Sequence, residues 1–61
     1  MENEHYIKAI LRYMQKNRTC KFMFDDDDRT DFIERYFRRK HYKVRKANSY
    51  TIIISKRWWQ R

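Results

Sequence analysis

The side chains best suited to chemistry in this chain are its cations, and they are unevenly distributed. All eight acidic residues lie before position 35, whereas ten lysines and arginines, and no acid, follow from Arg35 onward. The formal charge is therefore −2 over residues 1–34 and +10 over residues 35–61. Guanidinium and ammonium groups neutralise phosphates and release condensed counterions. Such asymmetry between two parts of a chain predicts that the basic part binds a polyanion.

Residue spacing groups several of these cations. Arg35, Arg38 and Arg39 are spaced i, i+3 and i+4, so they share one face of a helix. Lys43 and Arg45 are two residues apart and share one face of a strand. The alternative for any basic run is a solvated surface that only keeps the protein soluble. The predicted nucleic-acid-binding residues are Arg35, Arg38, Arg39, Lys43, Arg45, Lys46, Lys56, Arg57, Trp59 and Arg61.

The Trp58-Trp59 pair lies among cations, between Arg57 and Arg61. Indole rings stack on unpaired bases, and each stacked base contributes about 1–3 kcal/mol. In the alternative interpretation, one tryptophan closes the small core and the other packs at a subunit interface. An extended tail would direct the two rings to opposite sides, so at most one of them is expected to be a stacking platform.

The other candidate sites are weaker. The run Asp25–Asp28 has alternating carboxylates but lacks the glycine of a calcium loop, and it is better explained as a helix N-terminus. A third interpretation has the run mimic phosphates or dock on a basic partner. His5, His41 and Cys20 have no partner at ligand spacing, and no nucleophile motif, carboxylate pair or phosphate loop occurs. We therefore expect no enzyme activity, no cofactor and no metal.

The elements that must position these residues follow from hydrophobic periodicity. Ile7, Ile10, Leu11 and Met14 form one helical stripe, and Cys20, Phe22 and Phe24 alternate as in a strand. The predicted fold class is α+β with the order α-β-α-β-β. The predicted elements are helices over about 4–17 and 28–40, and strands over about 20–24, 42–45 and 50–55.

Two topology rules arrange these strands. A strand–helix–strand unit crosses over right-handed with its strands parallel, and the last two strands form a hairpin across Asn48-Ser49. The last strand has isoleucines on both faces, which suits a central position. We predict a three-stranded mixed sheet with the last strand central and both helices on one face. The other face is then open and basic with an apolar centre: Lys21, Met23, Lys43, Arg45, Thr51, Ile53, Ser55 and Arg57.

Size limits the architecture to one domain over residues 1–61. A chain this short buries only about 60% of its unfolded surface, and its single cysteine excludes a disulfide framework. Self-association, as a homodimer, is therefore the expected source of further stability. No apolar run is long enough to span a membrane, and no secretory signal is expected. A free thiol fits a reducing, cytoplasmic location.

In size, absence of Gly and Pro, and basicity, the whole chain resembles the small early accessory proteins of bacteriophages. That resemblance implies a protein of the host cytoplasm that redirects or neutralises a host factor such as a nuclease, a toxin or a polymerase. Two functions are therefore expected. The first is non-enzymatic, largely sequence-independent nucleic-acid binding, with RNA somewhat favoured over DNA. The alternative is an antitoxin-like inhibitor that docks on an acidic host protein.

Overall fold

The computed structural model describes residues 2–60. The elements occur in the predicted order, and they are α1 (Glu2–Lys16), β1 (Thr19–Met23), α2 (Asp27–Arg39), β2 (Lys43–Asn48) and β3 (Thr51–Ser55). Both helices begin slightly before their predicted starts. The predicted binding residue Arg61 lies outside the described residues.

Each helix buries one apolar stripe against the sheet. In α1 the stripe consists of Ile7, Ile10 and Met14, and Leu11, the fourth residue of the predicted stripe, is half-buried. In α2 it consists of Ile33 and Phe37, both 0% exposed. Phe32, next to Ile33 in the sequence, lies outside this stripe and is 46% exposed. The core is thin and lies in one layer between the helices and the sheet, with Ile52 and Ile54 of β3 contributing from the sheet side.

The strand order is β1-β3-β2, which confirms the predicted central position of β3. Both hydrogen-bonded pairs are antiparallel, so the sheet is antiparallel and not mixed. The parallel relation expected from the crossover holds between β1 and β2, but β3 separates them. Because β3 has a hydrogen-bonded neighbour on each side, its backbone is satisfied, and Ile52 and Ile54 are fully buried.

The two faces of the sheet sort their side chains largely as predicted. Cys20, Phe22 and Val44 turn toward the helices and are half-buried. Thr51 is an exception in its exposure, because its pairing with Met23 keeps it on the predicted open face and yet it is only 4% exposed. It lies across from Met23 on β1 and Asn48 on β2, next to the register shift in β2.

The chain path places the aspartate run and the cations of the last turn of α2 at opposite ends of that helix. The acidic end contains Asp25–Asp28 at the start of α2, where the backbone of Phe24 donates a hydrogen bond to the carbonyl of Tyr50. The basic end contains the last turn of α2, the start of β2 and the segment after β3. There the Lys56 N–H donates to the Arg18 carbonyl.

Candidate nucleic-acid interface

An open groove of about 610 Å³ runs along the edge strand β2 at the basic end of the molecule. Four of its lining residues are cations contributed by α2, β2 and the segment after β3, and none is acidic. We call this the basic groove. Its lining residues are Arg38, Tyr42, Lys43, Val44, Arg45, Ile53, Ser55 and Arg57. The fold thus brings together four of the ten predicted binding residues.

The sheet register explains how Lys43 and Arg45 reach the same surface. Lys43 pairs with Ser55 and Arg45 pairs with Ile53, and residues two apart on a strand point to the same side. Lys21 of β1 pairs with Ile53 from the other side. Directly opposed side chains lie about 5 Å apart at Cβ. The half-buried Ile53 is therefore flanked by two exposed cations, in agreement with the predicted basic face with an apolar centre.

Arg57 is held in the groove by the turn that ends α2. Its Nε donates a hydrogen bond of 2.6 Å to the carbonyl of His41. His41 has a φ of 70° and ends the helix in a Schellman arrangement, in which the N–H groups of His41 and Tyr42 donate to the carbonyls of Arg38 and Phe37. His41 therefore belongs to the turn after α2, and β2 begins two residues later, at Lys43.

Arg38 joins the groove from the last turn of α2. It forms an ion pair of 3.0 Å with Glu34, one turn earlier on the same helix, and its side chain remains 58% exposed. Exposed i, i+4 pairs contribute only a few tenths of a kcal/mol. The Arg38 guanidinium can therefore exchange Glu34 for a phosphate at little cost.

Lys46 is not brought into the groove. Its register partner is Ile52, so Lys46 projects to the helix-covered side, where its ammonium donates to the carboxylate of Asp31. This hydrogen bond raises the pKa of Lys46 and lowers the pKa of Asp31 from their ordinary values, and Coulomb attraction between the two groups adds to both shifts. The alternation of Val44 and Lys46 could have revealed this placement from the sequence.

Three further predicted cations lie elsewhere. Arg35 and Arg39 are exposed on α2 but do not line the groove. Lys56 is half-buried and also lies outside the groove lining. The helical spacing correctly predicted a shared face of α2, but it could not show which part of that face borders the sheet.

The two tryptophans lie in a hydrogen-bonded turn over Arg57–Gln60, which we call the tryptophan turn. The Gln60 N–H donates to the Arg57 carbonyl at 3.0 Å, and the Arg57 N–H donates to Oε1 of Gln60 at 2.7 Å. The tail is therefore not extended. Trp58 is 89% exposed and Trp59 is 51% exposed, so the interpretation in which one ring closes the core is wrong.

Arg18 anchors the tryptophan turn from the loop between α1 and β1. Its guanidinium donates to the carbonyls of Arg57, at 2.7 Å, and of Gln60, at 3.4 Å. Sequence reasoning missed Arg18 because the contact joins residues about forty positions apart in the chain. No local periodicity signals a contact of that range.

The aspartate run at the acidic end caps the N-terminus of α2. Oδ1 of Asp26 accepts from the N–H groups of Asp28 and Arg29 at 2.8 and 3.2 Å, which confirms the predicted helix N-terminus. Asp25 pairs with Arg29, whose guanidinium also lies over the Tyr6 ring. Carboxylate oxygens of Asp26, Asp27 and Asp28 lie within 4.8 Å of one another, but Asp26 is already engaged as the cap.

Comparison of the chain with protein-family models, with curated proteins and with solved structures found no match. In the part of the chain that the structure describes, neither helix is long and apolar enough to cross a bilayer. Function must therefore be inferred from the residues of the interface themselves.

Proposed function

We propose that this protein is a non-enzymatic nucleic-acid-binding protein that holds a phosphate backbone in the basic groove. The observation that carries the proposal is the convergence of Arg38, Lys43, Arg45 and Arg57 on one groove without an acidic lining residue. These cations come from three separate segments of the chain, so their convergence is a property of the fold and not of local sequence.

The groove suits phosphates better than base edges. Lysine and arginine contacts to phosphates release counterions and give affinity that carries no sequence information. Binding is therefore largely independent of sequence and weakens steeply with salt. RNA is favoured somewhat over DNA because aromatic side chains lie exposed next to the cations, and RNA offers unpaired bases in loops. The site of action would be the cytoplasm of the host cell.

The acidic end restricts where the polyanion can lie. The carboxylates of Asp25–Asp28 are exposed, and they repel phosphates over roughly one Debye length, about 8 Å at physiological salt. A nucleic acid in the groove is thereby confined to the basic end and to the open face of the sheet.

Removal of the groove cations tests the proposal. In the variant Arg38→Gln/Lys43→Gln/Arg45→Gln, affinity for a labelled RNA oligomer should fall by about 100-fold or more, because each charge-assisted contact contributes on the order of 1 kcal/mol or more. The matched control Lys8→Gln/Arg12→Gln/Lys16→Gln removes the same charge from a separate open groove along α1 and should lose far less affinity. Equal losses in the two variants would refute the groove as the binding site.

A second candidate function is supported by apolar exposure on the open sheet face. Met23 is 74% exposed, and Ile53 is flanked by Lys21 and Arg45. An apolar centre with a basic rim also suits docking on an acidic host protein, as expected of an antitoxin-like inhibitor. Pulldown before and after nuclease treatment separates the two functions. A partner lost on treatment supports nucleic-acid binding, and a protein partner that persists supports the inhibitor.

A further inference from the structure

The tryptophan turn exposes more aromatic surface than folding requires. Large aromatic side chains normally bury most of their area, yet Trp58 is 89% exposed and Trp59 is 51% exposed. The turn that presents them is nevertheless fixed by two internal hydrogen bonds and two from Arg18. An ordered turn that leaves its rings in water has the properties of a preformed binding surface.

The turn is continuous with the basic groove. Arg57 lines the groove and is also the first residue of the tryptophan turn. The Arg18 guanidinium lies against the turn, since it donates to the carbonyls of Arg57 and Gln60, so the surroundings of the turn are cationic. If Arg57 binds a phosphate, the bases next to that phosphate would lie near the indole rings.

We infer that the tryptophan turn is a stacking site for unpaired bases, so that the preferred ligand is a single-stranded nucleic acid. This inference rests on the proposed function and deepens it by naming the substrate class. In a duplex the bases are paired and stacked on each other, and they reach an external ring only after unpairing, which costs a few kcal/mol. Single strands combine free bases with the same phosphates, and stacking tolerates any sequence.

The chain supplies its own probe for this inference, since Trp58 and Trp59 are its only tryptophans. Tryptophan emission therefore reports on the turn alone. We would titrate the protein with single-stranded oligouridine, single-stranded oligothymidine, a duplex of equal phosphate number and inorganic polyphosphate, which has phosphates but no bases. Both single strands should quench the emission strongly, the duplex weakly, and polyphosphate should bind without stacking-type quenching. Comparison of the affinities for oligouridine and oligothymidine shows whether RNA or DNA is preferred.

Variants then separate stacking from charge. The variant Trp58→Ala/Trp59→Ala should bind oligouridine at least about fivefold more weakly, the loss expected from one stacked base, and should bind polyphosphate as tightly as the wild type. The matched variant Trp58→Phe/Trp59→Phe retains aromatic faces and should keep most of the affinity for oligouridine. Because both rings are exposed, these variants should fold, which circular dichroism checks.

Several results would overturn the inference. The first is an alanine variant that binds oligouridine as tightly as the wild type. The second is an alanine variant whose affinity for polyphosphate falls as much as its affinity for oligouridine. The third is a duplex that quenches tryptophan emission as strongly as the single strands do. Emission that is blue-shifted in the free protein and reverts on dilution would assign the rings to a contact between copies. Emission that responds only to a protein partner would assign them to protein docking. Failure of the proposed function is distinct, because the groove variant would then bind polyphosphate as tightly as the wild type.

Discussion

The acidic end and the basic end of this molecule differ in whether their charged side chains have partners within the protein. At the acidic end two of the four carboxylates of Asp25–Asp28 have internal partners, since Asp26 caps α2 and Asp25 pairs with Arg29. At the basic end, Lys43 and Arg45 form no ion pair with a carboxylate within residues 2–60, and both are exposed. A charged side chain that has a partner within the protein contributes to the structure. A charged side chain that faces water without such a partner is available to a ligand.

The helices explain why the two kinds of charge lie apart. Asp27 and Asp28 occupy the first turn of α2, Arg38 and Arg39 occupy its last turn, and Lys16 ends α1. Each charge complements the helix dipole at its own end, and such placements stabilise helices by about 0.3–1 kcal/mol. Helix stability and cations at the C-terminal ends of both helices therefore follow from the same sequence arrangement.

The largest expected effect comes from the core beneath the basic end. Phe37 is 0% exposed, and its ring packs edge-on against Tyr42 at a centroid distance of 5.3 Å. Phe37→Ala should lower the free energy of unfolding by about 3–5 kcal/mol, enough to unfold much of so small a domain. Denaturant titration followed by circular dichroism measures the loss. Phe32→Ala, at an exposed position of the same helix, should cost far less, and equal costs would contradict the assigned core.

At the acidic end, the comparison predicts a structural role for one aspartate in particular. Asp26→Ala removes the side-chain acceptor for two backbone N–H groups of α2 and should lower the free energy of unfolding by about 1 kcal/mol. Asp27→Ala removes an equal charge but no cap. Thermal unfolding of the two variants should show the larger loss for Asp26→Ala. The reverse order would show that charge, not capping, governs this end.

The turn at the basic end contains a small strain that substitution should relieve. His41 adopts a φ of 70°, which is unfavourable for a residue with a Cβ and is favoured for glycine. His41→Gly should raise the free energy of unfolding by up to about 1 kcal/mol, partly offset by the greater entropy of glycine in the unfolded chain. Denaturant titration checks the sign. His41→Val, with a β-branched side chain, should be destabilised instead.

The smallest expected effect on stability concerns the ion pair between Lys46 and Asp31, which lies outside the groove. Because the pKa of Asp31 is lowered in the folded state, its contribution to stability is present above the ordinary value of 3.8 and is lost as pH falls through the folded pKa. The raised pKa of Lys46 has the opposite sign, so its contribution is lost only as pH rises past 10.5. The difference in melting temperature between wild type and Asp31→Asn should be constant near neutral pH and shrink in acid. A pH-independent difference would show that the pair contributes no linked stability.

Much of the fold could be predicted because local signals and topology rules agree. The stripe of Ile7, Ile10 and Met14 and the isoleucines of β3 correctly predicted a helix and a central strand. The predicted open face was largely right because strand alternation is strict. Thr51 is the exception, since burial at a strand end depends on neighbours across the sheet and on the register shift in β2.

The site was predicted less completely, and the reason is distance along the chain. Lys43, Arg45, Arg38 and Arg57 converge through the pairing of β2 with β3 and the turn at His41. Composition showed that the cations exist but could not separate them from Arg35 and Arg39, which lie outside the groove. The turn that contains the two tryptophans is anchored by Arg18, a residue in the part of the chain that composition had marked as acidic.

The salt dependence of nucleic-acid affinity tests the central claim most directly. The logarithm of the association constant should fall linearly with the logarithm of salt concentration, with a slope of about −0.7 to −0.9 per phosphate contacted. If Arg38, Lys43 and Arg45 each contact a phosphate, their combined substitution by glutamine should reduce the magnitude of that slope by about 2–3, whereas the α1 control should leave it unchanged. Parallel lines for the wild type and the groove variant would contradict the account.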